Sequence, residues 1–214
     1  MAVMENLPQI VELVMTQLTL KAAIKTWGSQ ATTAAEAEMK QLHWQNSSKP
    51  VRWNKLTEKQ KAAVLELHIF LTQKRTGKIK GSTIAGGNKK RNYIEKEDAS
   101  SPTVAMESVI LTVIIDVMEQ RDTAIIDVPK VFIQTVVKDK SKCVIIQIQG
   151  MLVDILVKIT PEVYKSFVTA NEKGQKQILV ECLNALYGMM VASLLYYQKF
   201  TNRLKEKRVQ GESV

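Results

Sequence analysis

Cysteine and histidine are nearly missing from this sequence, with two of each in 214 residues. Two cysteines, Cys143 and Cys182, cannot build a disulfide framework, and two histidines without neighbouring cysteines cannot build a zinc site. Both thiols read as reduced, small core hydrophobes. Long apolar runs are lacking too. Residues 109–115 and 188–197 are the longest, well short of the roughly 20 that span a bilayer. The opening Met-Ala-Val-Met-Glu-Asn has neither the basic nor the apolar region of a secretory signal. An intracellular setting, cytoplasmic or nuclear, is therefore expected, with no membrane partner. Internal repeats are absent, and no G-x-x-x-x-G-K-[ST] spacing occurs, so the glycines do not form a P-loop.

What is present is a globular composition, 45% hydrophobic and 24% charged, at a length suited to one sizeable domain. Thirty basic against 21 acidic side chains give a net charge of +9. Such an excess makes a polyanion the first partner to consider.

Periodicity predicts an amphipathic helix over 5–25, with Ile10, Leu13, Val14, Leu18 and Lys21 at helical spacing. A break at 28–33 and a second helix over 34–44 follow. Asn46-Ser-Ser-Lys-Pro50 reads as a loop. Thr57 and Gln60 form a capping-box pattern, which predicts a short helix over 58–67. The period then changes, and 69–85 reads as a β-hairpin turning at Arg75-Thr-Gly77. Ser101-Pro102 is a helix start, opening an apolar helix to about Gln120 that should be largely buried. Short strands are predicted at 124–128, 144–149 and 178–183, and a final helix over 191–207 ends basic. The class is α+β.

Three groups of residues could carry chemistry. Seven cations (Lys74, Arg75, Lys78, Lys80, Lys89, Lys90 and Arg91) lie between Gln73 and Ile94 with no acid among them. Two readings fit: a phosphate-binding hairpin, or a solvated edge kept from aggregating by its lysines. Asp127 closes the predicted strand 124–126, where a carboxylate could hold a divalent cation, although lone acids at strand ends more often form turns or caps. In Leu183-Asn-Ala-Leu-Tyr-Gly188, the glycine permits an unusual φ or a close backbone approach.

Their order resembles a known family. A cationic glycine-turn hairpin is followed by Ala99-Ser-Ser-Pro-Thr-Val, by Ile-Ile-Asp-Val-Pro-Lys-Val-Phe-Ile-Gln134, and by Leu-Asn-Ala-Leu-Tyr-Gly188. This succession resembles the reverse transcriptase domain of copia-type retrotransposon polyproteins, over residues 36–207. The resemblance implies reverse-transcriptase-like fingers at about 69–85 and a partial palm at about 101–207. The sheet should be mixed, mostly antiparallel, with packed helices. A helical extension over 1–35 would precede it and a tail over 208–214 would follow.

By the same resemblance, Asp127 is the first metal carboxylate and the Val128 carbonyl lies beside it, both on Mg²⁺. Lys80, Phe132, Tyr187 and Gly188 belong to the nucleotide pocket, with Phe132 excluding a ribose 2′-hydroxyl. Lys74, Arg75, Lys78, Lys89, Lys90 and Arg91 would face nucleic acid. The implied partners are an RNA template and a DNA primer, or their hybrid.

Three departures qualify the inheritance. Ser82 stands where the family has an arginine after Lys80, which removes a bidentate phosphate donor. Met189-Met-Val-Ala-Ser193 replaces Leu-Lys-Gln-Ala-Pro. The Tyr-x-Asp-Asp hairpin, source of the other metal carboxylates, does not occur in these residues, which end before it would arrive. Two functions are compatible with this pattern. One is a fragment of an RNA-directed DNA polymerase (fingers and first half of the palm) that is inactive alone. The other is a non-enzymatic remnant that binds nucleic acid through a basic surface.

Overall fold

The computed structural model describes residues 17–87, 101–124, 126–139 and 143–209, with side chains to Lys207. Residues 5–16 of the predicted first helix, Lys89, Lys90, Arg91, and most of the tail lie outside that description. In chain order the elements are β1 (Gln17–Thr19), α1 (Leu20–Trp27), α2 (Ser29–Trp44), β2 (Ser48–Val51) and α3 (Glu58–Ala62). Then come β3 (Leu65–Gln73), β4 (Ile79–Ala85), α4 (Met106–Met118) and β5 (Ile145–Gln149). The rest are α5 (Met151–Ile159), α6 (Pro161–Tyr164), β6 (Thr169–Ala170), β7 (Lys176–Cys182) and α7 (Ala192–Val209).

The sheet runs β1-β3-β5-β7-β2, with β4 on β3 and β6 on β7. Among the described residues only β3 and β5 pair in parallel, so the expected mixed, mostly antiparallel sheet and the α+β class are both present. Nine-residue β3 is the splice between two halves. Its last residues pair with β1 and β4, while Leu65 and Glu66 reach β5. Strict alternation drives this strand, because Leu65, Leu67, Ile69 and Leu71 are buried while the residues between them are not.

Helix α2 covers one face of the hairpin. Ala31, Ala35, Met39 and Leu42 are buried along it at helical spacing. Glu38 Oε1 accepts from both the backbone N–H (3.1 Å) and the hydroxyl (2.9 Å) of Thr83. The helix runs unbroken through residues 35 and 36, and Ala23, Ala31 and Ala35 share one core with β3, β5 and β7. Behind the sheet, His43 bridges α2 to the α5–α6 junction. Its Nδ1 lies 3.0 Å from the Tyr164 hydroxyl and its Nε2 3.0 Å from that of Thr160. Burial pushes the Tyr164 hydroxyl above its ordinary pKa.

Several predicted elements are corrected. Within the predicted first helix, Gln17–Thr19 is instead a strand paired with Thr72, Leu71 and Phe70, and helix begins at Leu20. The break at 28–33 shrinks to Gly28 at φ +53°, and α2 starts directly after it. The loop at 46–50 is largely strand β2, which pairs with Cys182 to Leu179. The Thr57–Gln60 capping box forms as read, but its helix stops at Ala62 because β3 claims the residues from Leu65.

Two corrections bear on function. The apolar helix begins at Met106, not Ser101-Pro102: residues 101–105 are irregular, and Ala105, extended at φ −69° and ψ 147°, is the N-cap. None of its residues is buried. Apolar composition records an affinity for a core, but it does not supply one. The strand expected at 124–128 does not form among its described residues, and Ile126 is 82% exposed. Its intended neighbours pair with each other, Ile146 with Val180 and Ile148 with Ile178, while β2 takes the other edge of β7.

Candidate nucleic-acid interface

The hairpin tip spans five residues between the last pair, Gln73 and Ile79. The Lys74 N–H donates to the Lys78 carbonyl (2.9 Å) and the Gly77 N–H to the Lys74 carbonyl (2.8 Å), with Gly77 at φ +80°. That left-handed turn is cheap only for glycine. Lys74, Arg75, Lys78 and Lys80 are all exposed, and no acidic residue occurs from Leu67 to Gly87. Among the described residues, none of the four meets a carboxylate at ion-pair distance.

Some cations elsewhere are paired. Lys49 pairs with Glu181 at 2.8 Å, Lys158 with Glu36 at 2.7 Å, and Lys176 with Asp154 at 2.6 Å. The hydrogen bond from Lys49 to Glu181, followed by their attraction, raises the Lys49 pKa. The hairpin tip is a cluster of four exposed cations in an acid-free stretch, without such a partner among the described residues.

Alternation sorts the rest of β4. Ile79, Gly81, Thr83 and Ala85 are buried toward α2. A Cβ on Gly81 would sit 3.1 Å from the Ala34 carbonyl oxygen. Lys80, Ser82 and Ile84 occupy the opposite face, beside His68, Phe70 and Thr72 of β3. Lys80 and Ser82 thus share one open face, where Ser82 offers a hydroxyl and no charge.

At the other end of β4 the chain meets the Leu183–Gly188 block. The Ala85 N–H donates to the Tyr187 carbonyl at 2.7 Å. A Cβ on Gly87 would fall 2.0 Å from the Gly188 oxygen, and one on Gly188 would fall 2.1 Å from the Ala85 oxygen. Gly188 also has φ +84°. Both reasons read from the sequence for this glycine hold.

Phe132 is drawn to the same place. Asn184 Nδ2 donates to the Ile133 carbonyl (2.6 Å), and the Ala185 N–H donates to the Thr135 carbonyl (2.8 Å). Held by these bonds, Phe132 sets its ring edge-on to Tyr187 at 4.7 Å between centroids. Tyr196 lies 6.5 Å from Phe132 and stacks on Phe200 at 5.9 Å. Sequence reading missed Tyr196 and Phe200, although their i,i+4 spacing on a helix was the available signal.

Of the candidate residues, Phe132, Tyr187 and Gly188 come together. Lys80 lies five residues up β4 from Ala85, about 17 Å along an extended strand. Asp127 and Val128 sit in an exposed, irregular segment rather than at the end of a strand. They offer one carboxylate and one carbonyl. No group of three or more His, Cys, Asp or Glu side chains able to hold a metal occurs among the described residues. This donor set does not fit a resident Mg²⁺, which needs further oxygen ligands held in near-octahedral geometry.

No helix among the described residues is long and apolar enough to cross a membrane. Cys182 is buried and Cys143 half-buried, and neither is disulfide-bonded. No protein-family model matches the chain, and no curated protein or solved structure matches it either.

Proposed function

We propose that this chain binds nucleic acid without catalysing its synthesis, using the tip and open face of the β3–β4 hairpin. The observation that carries the reading is the hairpin charge: four exposed cations in a stretch without acids, none of them at ion-pair distance from a carboxylate among the described residues. Phosphates suit such a tip because each neutralised phosphate releases a condensed counterion. The order of the motifs further supports descent from the fingers and first half of the palm of a copia-type reverse transcriptase. An RNA–DNA hybrid is accordingly the partner chosen for the test.

Binding to a hybrid should be independent of sequence and steeply dependent on salt. With four cations on phosphates, log K should fall against log salt with a slope of roughly −4. Reversal of Lys74→Glu and Lys78→Glu together should flatten that slope by about 2. A flat titration of the native chain, or a slope that ignores the reversals, would sink the proposal.

A further inference from the structure

Helix α7 carries two adjoining stripes that the hairpin does not use. One forms a wall of a groove of about 610 Å³, whose opposite wall is the segment 134–139. Lys138, Lys199 and Arg203 line it together with the amides of Gln134, Gln198 and Asn202. Asp139 and Glu206 also line it, and Glu206 lies 3.5 Å from Arg203.

The second stripe is aromatic. At about 100° per residue, Tyr196 and Phe200 sit roughly 60° and 100° around α7 from Lys199, immediately beside the groove. Phe132 and Tyr187 continue the stripe to the foot of β4. Lys199 ties the two together, because its ammonium donates at 2.5 Å to the carbonyl of Gln134, two residues beyond Phe132. The stripe is open at both ends, with Phe200 46% and Tyr187 43% exposed.

We propose that this groove and its aromatic border bind a single strand of nucleic acid. Phosphates lie along Lys138, Lys199 and Arg203, and bases stack on Phe200 and Tyr187. A duplex hides the faces of its bases, so exposed aromatic rings beside a cationic groove select an unpaired strand. From Leu195 to Glu206 the helix rises about 17 Å. That exceeds a single nucleotide and suits the lower end of single-strand sites, roughly four nucleotides.

This inference rests on the nucleic-acid reading, and its test separates the two. The full chain is titrated by fluorescence anisotropy with a labelled oligodeoxythymidylate dodecamer and with an RNA–DNA hybrid of equal length. Phe200→Ala should weaken single-strand binding roughly 5- to 150-fold, the loss of one stacked base, and leave the hybrid unaffected. Lys199→Glu with Arg203→Glu should lower the single-strand salt slope by about 1.4. Glu206→Gln should tighten single-strand binding, which guards against a trivial loss of fold.

Single-strand affinity indifferent to Phe200→Ala, or a loss shared equally by both probes, overturns the proposal. A chain that holds the hybrid but not the single strand also overturns it, and leaves the hairpin reading standing. Single-strand binding that responds to Phe200→Ala, beside hybrid binding that ignores the Lys74 and Lys78 reversals, supports the groove and removes the hairpin.

Discussion

Gly188 crosses Ala85 so closely that a Cβ at position 188 would lie 2.1 Å from the Ala85 carbonyl oxygen. The crossing fixes the end of the cationic hairpin against the Phe132–Tyr187 pair, joining the charged half of the proposed interface to its aromatic half. Backbone meets backbone here, so no side chain can swing away to make room.

Gly188→Ala should therefore be costly. A non-glycine residue at φ +84° carries about 1 kcal/mol or more of strain, and the clash should bring the total to roughly 3 kcal/mol or more. Gly77→Ala is the control. It shares a positive φ but has nothing within 4 Å of the added carbon, so about 1 kcal/mol is expected. Urea unfolding of both variants measures the difference, and equal losses would contradict the crossing.

Local signals were legible in the sequence where local physics decides the outcome. The Thr57–Gln60 box, the Gly77 turn and the hairpin from Ile69 each depend on neighbours in the chain, and each formed. The strand at 124–128 and the burial of α4 depended instead on distant partners. A run such as Ala124-Ile-Ile favours a sheet edge but cannot reserve one, and β5 and β7, far apart in sequence, took each other. The aromatic ladder was missed for a related reason. Tyr187 and Tyr196 lie on different segments, and Phe132 reaches both only because Asn184 and Ala185 hold residues 133 and 135.

Alkaline pH should weaken the fold through Tyr164. Its hydroxyl ordinarily ionises near 10, and burial raises the folded value. Above pH 10 the unfolded chain therefore binds fewer protons than the folded one, so stability is complete below pH 10 and declines as pH rises. The limiting slope is about 1.4 kcal/mol per pH unit for one group. Lys49, raised by Glu181, acts in the same direction but is exposed and adds little. Melting temperatures from pH 8 to 11 should fall less steeply in Tyr164→Phe, although that variant starts lower for want of the His43 contact. Parallel curves would refute the assignment.

Helix α4 should be detectable as exposed apolar surface. Ten apolar side chains from Val104 to Met118 are between 38% and 78% exposed, and clustered exposed apolar surface binds hydrophobic dyes and partners. The native chain should enhance the fluorescence of anilinonaphthalene sulfonate. Leu111→Glu with Ile114→Lys should abolish most of that signal while shifting stability by no more than about 0.5 kcal/mol per site. Native fluorescence no higher than the double variant's would show that something covers the helix.

Primer extension by these 214 residues should be undetectable with Mg²⁺ or Mn²⁺ on a poly-A template primed with oligodeoxythymidylate. Two-metal phosphoryl transfer needs carboxylates that hold both cations between the attacking and leaving oxygens. Asp127 is an exposed acid on an irregular segment, outside any group of three or more potential ligands among the described residues, and no Asp-Asp pair occurs in the sequence. Asp127→Asn should accordingly change neither extension nor binding, since the residue lies outside both the hairpin tip and the α7 groove. Extension that disappears in Asp127→Asn would overturn this argument and show that another acid completes a site around it. Extension that survives the substitution would belong to a co-purifying polymerase, which a further chromatographic step would separate from the chain.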